Sequence, residues 1–128
     1  MLAPICPVGG QPQFGSGSEK NILFWRIEID PAPTREVNLE YARIEWPGDA
    51  AVNLLAILMG DNQIFSQDAP GAPAPMVEVT TPQPIWSEAF TYVDMLFIFN
   101  KNPDGGKEFD VAVMFEDCST IQGTVTSP

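Results

Sequence analysis

Residues 95–118 read MLFIFNKNPDGGKEFDVAVMFEDC, and this stretch decides the fold. Residues 95–99 form a short, continuous run of apolar, strand-forming side chains. Residues 109–116 have the period of two that a half-buried strand requires and a helix does not. Residues 102–106 (NPDGG), which lie between them, contain the proline and glycines typical of a turn. The stretch therefore predicts a β-hairpin with a long turn at the centre of a β-sandwich.

The rest of the chain also consists of short predicted strands separated by turn-forming residues. Its 128 residues suffice for one domain with a proper core, and its 13 prolines and 10 glycines favour many short strands over helices. Further strands are predicted at residues 21–30, 36–46, 53–59, 63–65, 76–81 and 121–126. A slip in the apolar pattern of residues 36–46 predicts a β-bulge, and residues 82–90 are predicted to be irregular. The expected fold class is all-β: an immunoglobulin-like antiparallel β-sandwich of seven to nine strands.

Residues 1–20 are predicted to be a flexible N-terminal arm rich in proline and glycine, and residues 21–128 a single sandwich domain. Ile5 and Phe14 are among the few sizeable apolar side chains of the arm, which makes them candidate partner contacts. An arm of this kind can add a strand to the sheet edge of another molecule. The alternative is that it folds along the sheet of its own chain.

The charge of the chain is strongly acidic. Six basic residues stand against 17 acidic ones, so the net charge is −11. Nucleic-acid binding requires lysine and arginine to replace counterions, and docking on anionic lipid requires them as well. We therefore expect neither kind of partner, and no apolar stretch is long enough to insert in a membrane. An acidic surface favours solubility; the alternative is a surface that binds cations.

The two cysteines, Cys6 and Cys118, lie near opposite ends of the chain. With no histidine beside them they do not make a closed structural zinc site. One disulfide is expected, because the N-terminal segment and the last strands of a sandwich often lie at the same edge, and a disulfide implies an oxidising compartment. Two buried free thiols are the alternative, and an intermolecular bond also stays open. Residues 1–4 lack the features of a signal peptide, so we expect a processed form or a domain.

Several short motifs resemble a group of small immunoglobulin-like β-sandwich domains of bacterial secreted and cell-surface proteins. The resemblance covers roughly residues 6–120. The matching positions are Trp46-Pro47, Leu54 with Ile57, Ile64-Phe65, Phe97 with Phe99, and Phe115 with Cys118. The resemblance implies a structural or binding module on an extracellular protein, often at the end of a stalk rich in threonine and proline. This chain departs from the group in having no such stalk.

The sequence gives little support to catalysis or to a cofactor. The absence of histidine excludes the Ser-His-Asp and Cys-His nucleophile systems, and no phosphate-binding loop is present. Loop carboxylates offer oxygen ligands for Ca²⁺, although solvated turn residues are the commoner role of such side chains; these are Asp30, Asp61, Asp104 and Asp117. The three tryptophans are expected in the core, and Trp86 is the first candidate for contact with a ligand or partner.

We therefore expect a non-enzymatic, extracellular or cell-surface structural and adhesion module without a cofactor. It would associate with itself or with other surface proteins, as in a pilus-like filament built by addition of an edge strand or of the arm. The alternative is a module of a secreted protein that binds carbohydrate or Ca²⁺.

Overall fold

The computed structural model describes residues 6–30, 33–66, 76–80, 82–86 and 90–128. These residues form eleven strands and two single turns of 3₁₀ helix, Gly17–Glu19 and Gly48–Ala50. The strands are β1 (Val8–Gly9), β2 (Gln13–Phe14), β3 (Ile22–Glu28), β4 (Val37–Glu45), β5 (Leu54–Met59), β6 (Asn62–Ser66), β7 (Met76–Val79), β8 (Gln83–Trp86), β9 (Tyr92–Phe99), β10 (Glu108–Phe115) and β11 (Ile121–Thr126). Among the described residues, no helix has the length and apolar character that a bilayer crossing requires.

The strands make two antiparallel sheets. The first has the order β1-β3-β9-β5-β6, and β2 pairs with β3 beside β1. The second has the order β11-β10-β4-β7, and β8 pairs with the other end of β4. Side chains from the inner face of each sheet interdigitate in one core, which is the arrangement of a sandwich. The predicted all-β antiparallel sandwich is confirmed.

Alternation along the strands fills this core. In β10 the residues with odd numbers are all buried, and in β9 they are buried from Met95 onward. Three edge-to-face pairs connect large rings in the interior: Trp46 with Phe99 and Phe99 with Phe109 between the sheets, and Trp86 with Phe115 within the second sheet. All three tryptophans are less than 4% exposed, so their prediction as core residues is confirmed.

The predicted hairpin of residues 95–118 is wrong, although both of its strands exist. Strand β9 lies between β3 and β5 in the first sheet, whereas β10 lies between β4 and β11 in the second. Two strands that face each other across a core have the same inward alternation as two strands paired in one sheet, so the pattern does not distinguish these cases. Residues 100–107 cross from one sheet to the other, a gap of about 10 Å that a long connection spans easily.

Three further predictions concern a hairpin, a bulge and a stretch expected to be irregular. The hairpin β5–β6 is confirmed, with Gly60 at φ +60° in its turn. The bulge in β4 is confirmed as well: Leu39 pairs with Phe115 and Tyr41 with Met114, which leaves Glu40 without an opposite residue. The stretch predicted as irregular contains the short strand β8, whose proline lies at the sheet edge, where a missing N–H is tolerated.

The described part of residues 1–20 lies on the sheet of its own chain. β1 and β2 both pair with β3, and Phe14 stacks edge-to-face on Phe109 with ring centroids 5.0 Å apart. Cys6 is joined to Cys118 by a disulfide, which confirms the predicted bond, and the structure has it within the chain. Ile5 lies outside the described residues.

Candidate functional site

The outer faces of the two sheets differ in chemistry. The outer face of the second sheet is mainly polar, although Met76 is exposed there; its exposed polar side chains include Glu45, Glu108, Asp110, Thr124 and Thr126. The outer face of the first sheet carries five half-buried aliphatic and aromatic side chains, which we call the apolar face: Ile22, Phe24, Leu58, Leu96 and Ile98. An antiparallel sheet that faces water on its outer side normally has polar residues there.

Strand register brings the apolar face together. Phe24 lies opposite Leu96, which lies opposite Leu58, so one row of apolar side chains crosses three strands. Ile22 lies opposite Ile98 in the next row. Because neighbouring strands are about 4.8 Å apart, these side chains are in contact range and form one continuous patch. Sequence analysis did not identify the patch, although the continuous apolar run in β9 is its signature, since both faces of that strand are apolar.

A charged cluster lies next to the apolar face. The Arg26 guanidinium donates from Nε to one carboxylate oxygen of Asp94 at 2.8 Å and from its terminal nitrogen to the other at 3.2 Å. This hydrogen bonding raises the pKa of Arg26 above its usual value. The same guanidinium lies 4.2 Å from the ring centroid of Tyr92. Both charged side chains are about half exposed, so the pair orients Tyr92 more than it stabilises the fold.

An open cleft of about 520 Å³ lies at the end of the sandwich where β5 turns into β6. The turn at residues 60–62 forms one side, and Phe90 and Tyr92 form the other, with Trp86 between them. Phe90 is 59% exposed and Tyr92 48% exposed, which is high for aromatic side chains. We call this the aromatic cleft. Leu96 lines it too, so the cleft is continuous with the apolar face.

Trp86, the predicted contact residue, lies at the boundary between core and cleft. Its ring packs edge-to-face on Phe115 at 5.6 Å and is 1% exposed, so the ring itself is a core element. Its indole N–H has no hydrogen-bond partner among the described residues. In contrast, Trp25 donates to the Gly10 carbonyl at 2.7 Å and Trp46 to the Val52 carbonyl at 3.2 Å.

The arm joins the edges of the two sheets along a line that we call the arm seam, which runs from the disulfide to Phe14. Gln11 donates from its side chain to the Thr124 carbonyl of β11 at 2.8 Å. The packing leaves no room for extra atoms: a Cβ on Gly123 would lie 2.7 Å from the Pro12 ring. Phe14, a predicted partner contact, therefore lies at this seam and away from the aromatic cleft.

The four carboxylates considered for Ca²⁺ lie in different parts of the fold. Asp61 lies in the β5–β6 turn, Asp104 in the connection between the sheets, and Asp117 just beyond β10, while Asp30 follows β3. Across the described ranges, no three side chains of the kinds that bind metals converge. The structure does not bring these four residues together.

Comparison with known proteins adds no family assignment. No protein-family model matches the chain, and no curated protein matches it. The resemblance to bacterial surface domains therefore stays a prediction, and the functional reasoning rests on the apolar face, the aromatic cleft and the disulfide.

Proposed function

We propose that this chain is a non-enzymatic structural or adhesion module that acts outside the cytosol by contact with other protein molecules. The observation that carries the proposal is the apolar face on the outer side of the first sheet. Contiguous exposed apolar patches mark interaction sites, since a monomer gains nothing by presenting them to water. Because the outer face of the second sheet is mainly polar, we expect this contact to involve the first sheet and not the second.

The disulfide supports a location in an oxidising environment. Cys6 and Cys118 are both oxidised, and the described residues contain no free cysteine. Disulfides persist in secreted and surface proteins, whereas cytosolic thiols are kept reduced. A surface protein also has to stay folded without chaperones, and a cross-link that joins distant parts of the chain serves that end.

The distribution of charge over the surface favours a second copy of the chain as the partner at the apolar face. Two copies at net charge −11 repel each other over most of their surfaces. The apolar face has no formal charge, and the Arg26–Asp94 pair beside it is neutral. Contact through this face therefore places the least charge between the copies. We expect association to become stronger as salt concentration rises, because salt screens the remaining repulsion.

Sedimentation velocity over a range of concentrations tests this proposal with two matched variants. Ile98→Lys places a charge on the apolar face, and Met114→Lys places one on the outer face of the second sheet, in each case at a half-buried position of a central strand. We expect wild type and Met114→Lys to associate and Ile98→Lys to stay monomeric. Equal association of the two variants, or a wild type that is monomeric at every concentration and salt level, would contradict the proposal.

Carbohydrate binding is the second candidate function. It is favoured by the exposed rings of Phe90 and Tyr92 at the aromatic cleft, since sugars stack on aromatic side chains. A glycan array probed with and without Ca²⁺ tests it, and the candidate is rejected if no glycan binds.

A further inference from the structure

We propose that the aromatic cleft binds a small organic cation: a quaternary ammonium group of the choline type, with no anionic group attached to it. This site goes beyond the proposed function, because it takes a small ligand and does not involve the contact between copies at the apolar face. The shape of the cleft, its rings and its charge each favour such a ligand.

Strand register leaves space for a ligand beside β9. This strand pairs with β3 from Tyr92 onward, but it pairs with β5 only from Met95 onward. Just before that point, the Gly60 N–H donates to the Asp94 carbonyl at 3.0 Å, and the chain then turns into β6. Within the described part of the chain, no strand lies next to Tyr92 on the β5 side. The cleft is therefore a product of the sheet itself and exists before any ligand binds.

Two rings of the cleft are spaced to contact one cation. Phe90 and Tyr92 both line the cleft and are 59% and 48% exposed. The Thr91 carbonyl between them accepts a hydrogen bond from the Ile29 N–H at 2.8 Å, so the chain continues the extended line of β9. Side chains two positions apart in an extended chain leave it on the same side, about 6.6 Å from each other. Because an aromatic ring attracts a cation within about 6 Å of its centroid, one cation between these rings can contact both.

The Tyr92 ring is held in place before a ligand arrives. The Arg26 guanidinium lies over the ring at 4.2 Å from its centroid, and two hydrogen bonds fix this guanidinium to Asp94. The ring is still 48% exposed with Arg26 in place, so part of its surface remains available to a ligand. A side chain that is ordered before binding loses little entropy when the ligand binds.

The charge of the cleft favours a cation over an anion. Asp61 and Asp94 line the cleft, whereas none of its described lining residues is basic. Arg26 balances the charge of Asp94, but Asp61 forms no ion pair with another described residue. One uncompensated negative charge therefore lies beside the rings. The net charge of −11 over the whole chain adds a field that attracts cations and repels anions.

The chemistry of the lining selects among cations. Most of the side chains that line the cleft are apolar or aromatic. A metal ion requires several oxygen ligands, and the described residues contain no group of three side chains that could hold one. A primary ammonium is strongly hydrated and has three N–H groups that need acceptors. A quaternary ammonium needs none, and its methyl groups pack on aromatic faces. Sugars fit less well, because both carboxylate oxygens of Asp94 already accept hydrogen bonds from Arg26.

Titration of choline into the ¹⁵N-labelled full-length chain, followed by amide chemical shifts, tests the inference. We expect shifts at Asn62, Phe90 and Tyr92. Dimethylbutanol, the neutral carbon isostere of choline, has the same shape without the charge and should bind about fivefold more weakly or worse. Glycerophosphocholine, which represents a lipid headgroup, should also bind more weakly than choline, because Asp61 repels its phosphate. Sodium chloride at the same concentration controls for ionic strength.

Three variants test the named side chains. Phe90→Ala, Tyr92→Ala and Asp61→Asn should each weaken choline binding about two- to fivefold. Asp104→Asn is the matched control for charge, since it removes one exposed carboxylate from the connection that follows the other end of β9. Leu55→Ala is the control for exposed apolar surface, since Leu55 is 42% exposed and does not line the cleft. Both controls should bind choline as wild type does.

The inference is overturned if choline shifts no cleft residue, or if the neutral isostere or glycerophosphocholine binds as tightly as choline. It is also overturned if Asp104→Asn weakens binding as much as Asp61→Asn, or if glucose shifts the cleft residues and choline does not. Ile98→Lys should bind choline as wild type does, because Ile98 does not line the cleft. Choline binding in a chain that sediments as a monomer at every concentration would reject the apolar-face contact and leave this site standing.

Discussion

Replacing Cys6 and Cys118 together by alanine is expected to destabilise the protein strongly and to leave its native structure unchanged. The native structure should survive because the arm seam has its own contacts. These include the hydrogen bond from Trp25 to Gly10, the one from Gln11 to Thr124, and the pairing of β1 and β2 with β3. The disulfide therefore acts mainly on the unfolded chain, which it holds in a large closed loop.

The size of the effect follows from that loop. The cross-linked residues are 112 positions apart. Loop-closure entropy for this separation corresponds to about 4.8 kcal/mol at 25 °C as an upper value, and native disulfides in small domains contribute about 2–5 kcal/mol. A domain of 128 residues has an unfolding entropy of about 0.27 kcal/mol per degree, so the upper value corresponds to a melting temperature lower by about 18 °C.

Urea denaturation of wild type and the double alanine variant measures the difference directly. The midpoint should fall, and the slope of free energy against urea should rise slightly, because the unfolded chain exposes more surface once the loop is open. Wild type unfolded in reductant is the control, and it should match the variant.

Two results would refute this reasoning. A loss below about 1 kcal/mol would mean that the unfolded chain is already compact without the cross-link. Release of the arm in the variant, seen as a shift of the Trp25 indole resonance, would mean that the disulfide and not the arm seam holds residues 6–14 in place.

Further substitutions probe single contacts. Gly123→Ala should cost about 1–3 kcal/mol in chemical denaturation because its Cβ would meet an arm proline at 2.7 Å, whereas Gly48→Ala, in open space, should change the free energy of unfolding little. Trp86→Phe should destabilise less than Trp25→Phe by about 1 kcal/mol, since only Trp25 loses a hydrogen bond among the described residues; equal losses in thermal melts would contradict this. Burial, and next a neighbouring glutamate, raises the pKa of Tyr41 above 10.0, so the folded state holds this proton more tightly. Stability should therefore fall as pH rises above about 10, and fall less in Tyr41→Phe, as measured by urea midpoints across that range.

Strand positions could be predicted from local pattern, but strand partners could not. The alternation in β10 and the apolar shift in β4 identified a strand and a bulge correctly, because both depend on which side of one strand faces the core. The pairing of β9 with β10 was wrong, because the same alternation suits strands paired in one sheet and strands facing each other across a core. The sequence indicates which side of a strand faces the core, but it does not indicate to which sheet the strand belongs.

The candidate surfaces were predictable only in part, because the sequence does not indicate which strands and turns become neighbours. The cysteine pair was predictable, because the N-terminal segment and the last strands of a sandwich often lie at the same edge. The aromatic cleft was not, because Tyr92 and the turn at residues 60–62 become neighbours only through the pairing of β5 with β9, and Trp86 joins them from the second sheet. Trp86 was predicted as the first candidate contact among the tryptophans, and it lines this cleft while its ring remains in the core.

The disulfide also decides how the molecule would respond to being pulled. A force applied to the chain before residue 6 and after residue 118 passes through the sulfur–sulfur bond and bypasses the residues between them. Strands β1 to β10 lie between the two cysteines and then bear no tension, and of the described strands only β11, which lies beyond Cys118, can be peeled from β10. The chain would extend by the length of β11 and then stop at a covalent bond.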